Sequence, residues 1–286
     1  MRSNRRPLPL LASLCVLFVG IPGCHGWGWD GHYTTCKLAE PYYSNATVSA
    51  IQNLLAPGQY LPDLCSWADD VRSVYKWSAA LHFADVPDDS CVFNYTRDCH
   101  DEYGVPGRCV VAAICNYTTQ LIDGYSSGNS PYNLTQALLF LSHFMGDIHQ
   151  PLHLGHEGDR GGNSIIVYWY NTRTNLHHVW DTSMIYTEED DFYNGSVDQL
   201  EAAIAQNITS DEVQQWQTCS GGQPPCPIVY ASESVALACE WAYNGVTNYS
   251  TLGDDYFYSR WPIVQQQLSR GGVRLAAALN RIFGSS

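Results

Sequence analysis

Along Leu134–Ile148 apolar side chains recur at helical spacing, with Leu138, Leu139, Leu141 and Phe144 set among Ala and Gln. Related patterning predicts helices over Tyr33–Leu55, Leu64–Trp77, Cys109–Tyr125, Val197–Asn207, Ala231–Tyr243 and Asp254–Phe283. Breaks are expected in the last near Pro262 and Gly271–Gly272, because proline removes a hydrogen-bond donor and glycine weakens helix interiors. One segment reads as β: Ser164–Tyr170, rich in Ile, Val, Tyr and Trp. A polar turn, Asn171–Asn175, and a second short segment follow it, which suggests a hairpin. Asp85–Gly107, with its Pro, Asp, Asn and Cys, reads as a disulfide-pinned loop. No internal repeat or long linker interrupts the pattern. The expectation is a mainly α, single compact domain over residues 27–286 with a small β-hairpin.

Composition narrows this picture. The 286 residues are 45% apolar and 13% aromatic, enough for a real core and unlike collagen, a coiled coil or a disordered chain. Arg2, Arg5 and Arg6 precede an apolar run from Leu8 to Ile21, then Pro22, Gly23, Cys24, His25 and Gly26. A basic head, a short apolar stretch and small residues read as a cleaved secretory signal over residues 1–26. Cleavage after Gly26 or after Gly28 suits the small-residue preference equally. Seven Asn-x-Ser/Thr sequons agree with export, at Asn45, Asn94, Asn116, Asn133, Asn194, Asn207 and Asn248. In an oxidising compartment the nine remaining cysteines read as disulfides plus one free thiol. Cys36 with Cys65 and Cys99 with Cys109 are plausible bridges; Cys115, in an apolar run, is the candidate buried free thiol. The pairing of Cys91, Cys219, Cys226 and Cys239 stays open. An extracellular or vacuolar destination follows, with no membrane span and a monomer as the default.

The chemistry concentrates in histidine and aspartate. His143 and Asp147 stand at i and i+4, on one face of a predicted helix. His153 follows behind Pro151, which stops that helix and lets the chain bend back. His177 and Asp181 repeat the i, i+4 pair, while Asp69, His82, Asp85 and His32 lie in apolar settings upstream. One such pair is commonly a salt bridge or a satisfied core histidine. Two, with the flanking His and Asp, point to a metal, and imidazole with carboxylate suits Zn²⁺.

Taken together, Trp-x-x-x-Gly-His from Trp27, Ser-Trp-Ala-Asp, Leu-His-Phe-x-Asp, His-Phe-Met-Gly-Asp-Ile-His-Gln-Pro-Leu-His, Gly-Gly-Asn at 161–163, Asn-Leu-His-His-Val-Trp-Asp, Tyr-Ala-Ser-Glu-Ser and Gly-Gly-Val-Arg-Leu-Ala resemble the plant bifunctional endonuclease and fungal single-strand nuclease family. The resemblance runs over essentially all of Trp27–Phe283. It implies a disulfide-stapled helical fold of the zinc phospholipase C and single-strand nuclease type, with three zinc ions. One would take Asp69, His82, His143 and Asp147; a second the α-amino group and carbonyl of Trp27, His32 and Asp147, which bridges the two; a third His153, His177 and Asp181. A terminal-amine ligand requires the cut before Trp27. His149 and His178 are left over, read either as groups that back the ligands or face substrate, or as simple surface histidines.

The resemblance further implies endonucleolytic cleavage of single-stranded DNA and RNA to 5′-phosphate ends, with 3′-nucleotidase activity. Phe83 would stack a base, Asp85 would bond its edge, and Arg72 would assist at phosphate oxygens. Zinc lowers the pKa of water from 15.7 toward about 7, which supplies the nucleophile. A net charge of −14 excludes capture of nucleic acid by a basic surface, so clustered cations would provide the local positive potential. Zinc phospholipase C is the rival of similar fold; a zinc-storing glycoprotein without turnover is the rival of another class.

Overall fold

The computed structural model describes residues 26–127, 130–219 and 222–284; all of the expected leader except Gly26 lies outside them. Pro41 divides the first expected helix. Helix α1, Trp29–Ala39, ends in a tight turn at Glu40–Tyr42, and α2, Asn45–Leu54, restarts where the Ser44 hydroxyl accepts from the Thr47 amide at 3.1 Å. The helix expected over Leu64–Trp77 is not continuous. Ser66, Asp69, Asp70 and Arg72 leave it no unbroken apolar face, and only a turn at Pro62–Leu64, the single-turn α3, Trp67–Asp70, and tight turns over Lys76–His82 form. A further single turn, α4, Tyr95–Asp98, lies in the loop pinned by the Cys99–Cys109 bridge.

The central pair is α5, Val110–Ser127, and α6, Leu134–Asp147, which starts at an Asn133 side chain accepting from the Gln136 amide. Strand β1, Ile166–Trp169, pairs antiparallel with β2, Thr172–Asn175, in the register Ile166↔Asn175. The polar run read as a turn is therefore the second strand; the reversal is tighter, at Tyr170, whose φ is 50°. Helix α7, Leu176–His178, runs through a widened turn, Val179–Ser183, into α8, Met184–Phe192. Then come α9, Val197–Asn207, α10, Ser210–Trp216, and α11, Pro227–Leu237, widening at Ala238–Ala242. Strand β3, Thr251–Leu252, adds parallel to β1, and α12, Asp254–Phe283, closes the chain.

No break interrupts α12. Pro262 is exposed, so the Tyr258 carbonyl that it leaves unpaired belongs to a half-solvated turn where water can bond it. Gly271 and Gly272 are contact positions instead: a Cβ on Gly272 would meet Leu38 Cβ at 2.7 Å and the Thr35 carbonyl at 2.9 Å. Their bare backbone lets α12 lie directly on α1. At 30 residues, α12 spans both hydrophobic clusters of the described residues. Leu275, Leu279, Ile282 and Phe283 join the cluster built on α5 and α6, while Phe257, Trp261, Val264 and Leu268 join the one around Trp27, Trp180 and the hairpin.

Both expected bridges, Cys36–Cys65 and Cys99–Cys109, are present, with Cys91–Cys239 and Cys219–Cys226 beside them. Cys115 is free but exposed, contrary to expectation. The helical period of α5 turns it outward with Asn116 and Thr119 while Val111, Ile114 and Leu121 face the core. All seven sequon asparagines are exposed. No helix among the described residues is long and apolar enough to cross a membrane.

Candidate metal centre

The last turn of α6 carries His143 and Asp147, both wholly buried on the face toward α1 and the turns at 66–82. Helix α1 brings His32, whose ring stacks on His143 at 3.8 Å; a Cβ on Gly146 would stand 2.7 Å from His32 Nδ1, so this glycine permits the approach. The Cys36–Cys65 bridge holds the turn bearing Asp69 against α1. The turn ending at His82 completes the group. Pro151 ends the α6 backbone as expected, and the tight turn Pro151–Leu154 returns His153 to the same cavity.

Asp147 stands at the centre. His82 Nδ1 and His143 Nε2 lie 3.0 and 3.2 Å from its Oδ2, and His32 Nε2 and His153 Nδ1 lie 3.4 and 3.6 Å from its Oδ1. Neither oxygen has a well-directed hydrogen bond, nor has either nitrogen of His32, nor His82 Nε2. Such orphaned polar atoms in one buried pocket call for a missing partner of positive charge. His82 Nδ1 also faces His143 Nε2 at 3.1 Å, two ring nitrogens that a shared cation would satisfy. His143, His153 and His177 each turn Nδ1 to a backbone carbonyl, of Cys65 at 2.8 Å, His82 at 2.6 Å and Gly161 at 2.6 Å. Donation there would fix the tautomer with Nε2 bearing the lone pair, the usual arrangement behind metal-bound histidine.

Among the described residues, three sets have ligand atoms within 4.8 Å of one another: His32, His143 and Asp147; Asp69, His82 and His143; His153, His177 and Asp181. The donor chemistry of each fits a divalent ion such as zinc. A fourth set, Cys91, His156 and Cys239, has its two sulfurs joined as a disulfide. The N-terminal side supplies a further observation. Trp27 is wholly buried, and a Cβ on Gly26 would fall 1.7 Å from Asp147 Oδ1 and 2.7 Å from His32 Nε2. The link preceding Trp27 thus lies against this pair, where an amine released by cleavage would be freed.

Electrostatics follow from burial among like and unlike charges. Burial draws the His32 pKa down to about 4, reinforced by His143. Burial likewise lowers His82. At His143 burial is outweighed by Asp147 and Asp69, which lift it to about 9. At Asp147 burial is outweighed by His143 and His153, which hold it well below the usual carboxylate range. Burial raises Asp181, against a 2.5 Å hydrogen bond donated by Gln150 Nε2. Gln150 also accepts from the Leu152 amide at 2.6 Å, so one side chain shapes the turn and aims the carboxylate. Gln150 lies within the His-Phe-Met-Gly-Asp-Ile-His-Gln-Pro-Leu-His motif, but nothing in the sequence assigns it this task.

Arg72 NH1 stands 3.4 Å from Asp69 Oδ1, one turn away, and its charge reaches Asp181. Phe83 and Asp85 share one half-buried face of an extended segment whose other face, Ala84 and Val86, is buried. Amides of Ala84 and Val86 donate to the His153 and Gly155 carbonyls, tying that segment to the metal-side turn. Burial, with Asp159 and Glu157, pushes Asp85 well above its ordinary value, so it keeps a proton longer than a free carboxylate.

Of the roles left open for His149, the buried one behind the ligands is the one its contacts match. The ring is wholly buried, with Nδ1 on the Met145 carbonyl at 2.7 Å and Nε2 against Arg274 at 3.0 Å. Arg274 forks onto Glu233 at 2.6 and 3.0 Å, and Ser234 donates to the Ile148 carbonyl at 2.6 Å. The two C-terminal motifs thereby clamp the end of α6, two residues beyond Asp147. His178 is exposed and lines a cavity of about 650 Å³ whose floor includes Asp69, His177 and Asp181.

A family model described as S1/P1 Nuclease matches residues 27–284. Endonuclease 2 of Arabidopsis thaliana is 51% identical, with 99% of this chain and all of that protein covered. Endonuclease 4 of the same plant is 49% identical over 96% of this chain and 95% of its own. Nuclease P1 of Penicillium citrinum is 35% identical over 91% of this chain and 98% of its own. With a likeness this extensive and continuous, the chain belongs to the S1/P1 nuclease family and is a hydrolase acting as a phosphodiesterase on nucleic acids.

Proposed function

We propose that this chain is a secreted, zinc-dependent endonuclease that cuts single-stranded DNA and RNA to 5′-phosphate products and also removes 3′-phosphates from mononucleotides. The observation that carries this reading is Asp147, a buried carboxylate ringed by four imidazoles and without a directed hydrogen bond of its own. Three zinc ions are assigned. Asp69, His82, His143 and Asp147 would hold one; the Trp27 amine and carbonyl, His32 and Asp147 a second; His153, His177 and Asp181 a third. Bound there, zinc would supply acidified water and neutralise phosphate oxygens.

The chain's own residues then do the positioning. Gln150 aims Asp181; Arg72, next to Asp69, offers a guanidinium to a phosphate oxygen; Phe83 offers a ring to a base, and Asp85 offers its carboxyl group to the base edge. Stacking tolerates any base, which fits low sequence preference. A chain of net charge −14 with its positive potential confined to a cleft floor would not track a duplex, whereas a flexible strand can bend in. Removal of residues 1–26 in the secretory pathway would free the Trp27 amine beside His32 and Asp147, and glycans would occupy exposed sequons.

The test is digestion of denatured DNA, RNA and duplex DNA with and without a chelator. Single strands should be consumed to 5′-phosphorylated ends, duplex largely spared, and chelation should stop the reaction until zinc is restored. Equal attack on duplex, or activity indifferent to chelation, would overturn the reading.

A further inference from the structure

Away from the Asp147 centre, the described residues hold one more group with the chemistry of a metal site. It comprises Cys91, His156 and Cys239, whose three ligand atoms lie within 4.8 Å of one another. Each is positioned by its own element. Cys239 sits in the widened turn Ala238–Ala242 at the end of α11, a departure from the α-helix that recurs at functional sites. His156 is fixed by Tyr243. The two rings lie flat on each other, centroids 4.4 Å apart at 4°; the His156 amide donates to the Tyr243 hydroxyl at 2.9 Å, and that hydroxyl donates to Asp159 at 3.0 Å. This hold leaves His156 Nε2 3.7 Å from Cys239 Sγ. Cys91 stands in the loop after Asp85, which is tied to the chain around His156. The Val86 amide donates to the Gly155 carbonyl at 2.8 Å, and the Gly158 amide to Asp88 at 2.7 Å.

In the oxidised protein the two sulfurs are joined. Access sets this bridge apart from two of the others: Cys91 is exposed, whereas Cys36, Cys65, Cys99 and Cys109 are buried. A thiolate breaks a disulfide only where it can reach a sulfur. Attack at Cys91 expels the Cys239 sulfur beside the His156 ring, which can hydrogen-bond the departing thiolate. The geometry then already suits an ion. Tetrahedral zinc, with bonds of about 2.3 Å to sulfur and 2.0 Å to nitrogen, sets a sulfur and a nitrogen about 3.5 Å apart and two sulfurs about 3.8 Å apart. The Nε2–Sγ separation is close to the first value, and Cα atoms 6.0 Å apart leave side-chain rotation to supply the second.

We propose that the Cys91–Cys239 bridge is a reducible tether whose reduced form, with His156, is a further metal site. It takes a thiophilic divalent cation such as zinc, with water in the remaining position. A dithiol supplies the electrons. One of its sulfurs bonds Cys91 Sγ and the Cys239 sulfur leaves; its second sulfur then closes on the first and the Cys91 sulfur leaves. The reagent ends as a cyclic disulfide, its two protons pass to the cysteines, and the ion displaces both. The ion thereby re-ties the loop to the end of α11. Oxidised protein has no such site, so its expected zinc count is unaffected.

The experiment starts from the oxidised, zinc-replete protein with Cys115 alkylated beforehand, so that this exposed thiol does not contribute. Brief treatment with dithiothreitol is followed by gel filtration under argon and titration with Co²⁺. Thiolate ligands give cobalt a charge-transfer band that histidine and carboxylate ligands cannot. The wild type should gain about one Co²⁺ per chain with that band, and mapping of newly alkylated thiols should find Cys91 and Cys239. Hydrogen exchange over residues 86–91 should quicken on reduction and slow again when the ion is added. His156→Ala, which keeps both cysteines, should weaken Co²⁺ binding at least about tenfold. Cys91→Ser combined with Cys239→Ser should remove the band. The proposal is overturned by a bridge that stays intact until the protein unfolds, by reduced wild type without the band, or by a band undiminished in the double serine variant. Equal Co²⁺ affinity in His156→Ala would also overturn it. Should the double variant fail to fold, His156→Ala and the thiol map decide the matter. None of these readouts involves cleavage, so the nuclease reading and this site stand or fall separately.

Discussion

At Asp147 one carboxylate meets His32, His82, His143 and His153 with every atom out of water. An isolated buried charge is costly, and neighbouring imidazoles hold this one ionised. Replacing Asp147 by Asn keeps the shape and removes the charge that two ions would share. The variant should lose about two zinc ions and at least a hundredfold in kcat, read by elemental analysis and single-strand hydrolysis; half of the wild-type rate would remove the bridging role. The i, i+4 spacing of His143 with Asp147, and of His177 with Asp181, is legible in sequence because helix geometry fixes the shared face. What Gln150 does to Asp181 is not legible, since the contact spans 31 positions and depends on how a tight turn aims an amide.

Among the elements, α12 shows where local reasoning fails. Proline and paired glycines read as breaks, but Pro262 sits on a solvated face and the glycines answer to a neighbour, α1, that no local pattern reveals. Gly272→Ala should force the two helices apart and cost about 1–3 kcal/mol, seen as a lower midpoint in thermal denaturation. An unchanged midpoint would mean that the contact yields freely. The converse failure is α10, where Thr209 and Glu212 form a reciprocal capping box that the sequence carried in plain view. The hairpin was legible from its β-branched and aromatic run; its partner β3 was not, being two residues long and distant in sequence. Motifs near positions 230 and 271 were recognisable without a reason; the Glu233–Arg274–His149 chain supplies one, the anchoring of α6 beside Asp147.

Across the whole molecule, the centre gathers donors from α1, α6, α7, the widened turn after it and the turns at 66–82 and 151–154, and the disulfides and α12 hold these pieces in register. Helical content and donor types follow from pattern and chemistry. Their convergence is a long-range property, reached in sequence only through family resemblance. The account of an acidic chain acting on polyanions depends on cations at that convergence. Elemental analysis of purified protein whose first residue is Trp27 tests it most directly. About three zinc ions per chain are expected; a preparation active on single strands that contains no stoichiometric zinc would contradict the account.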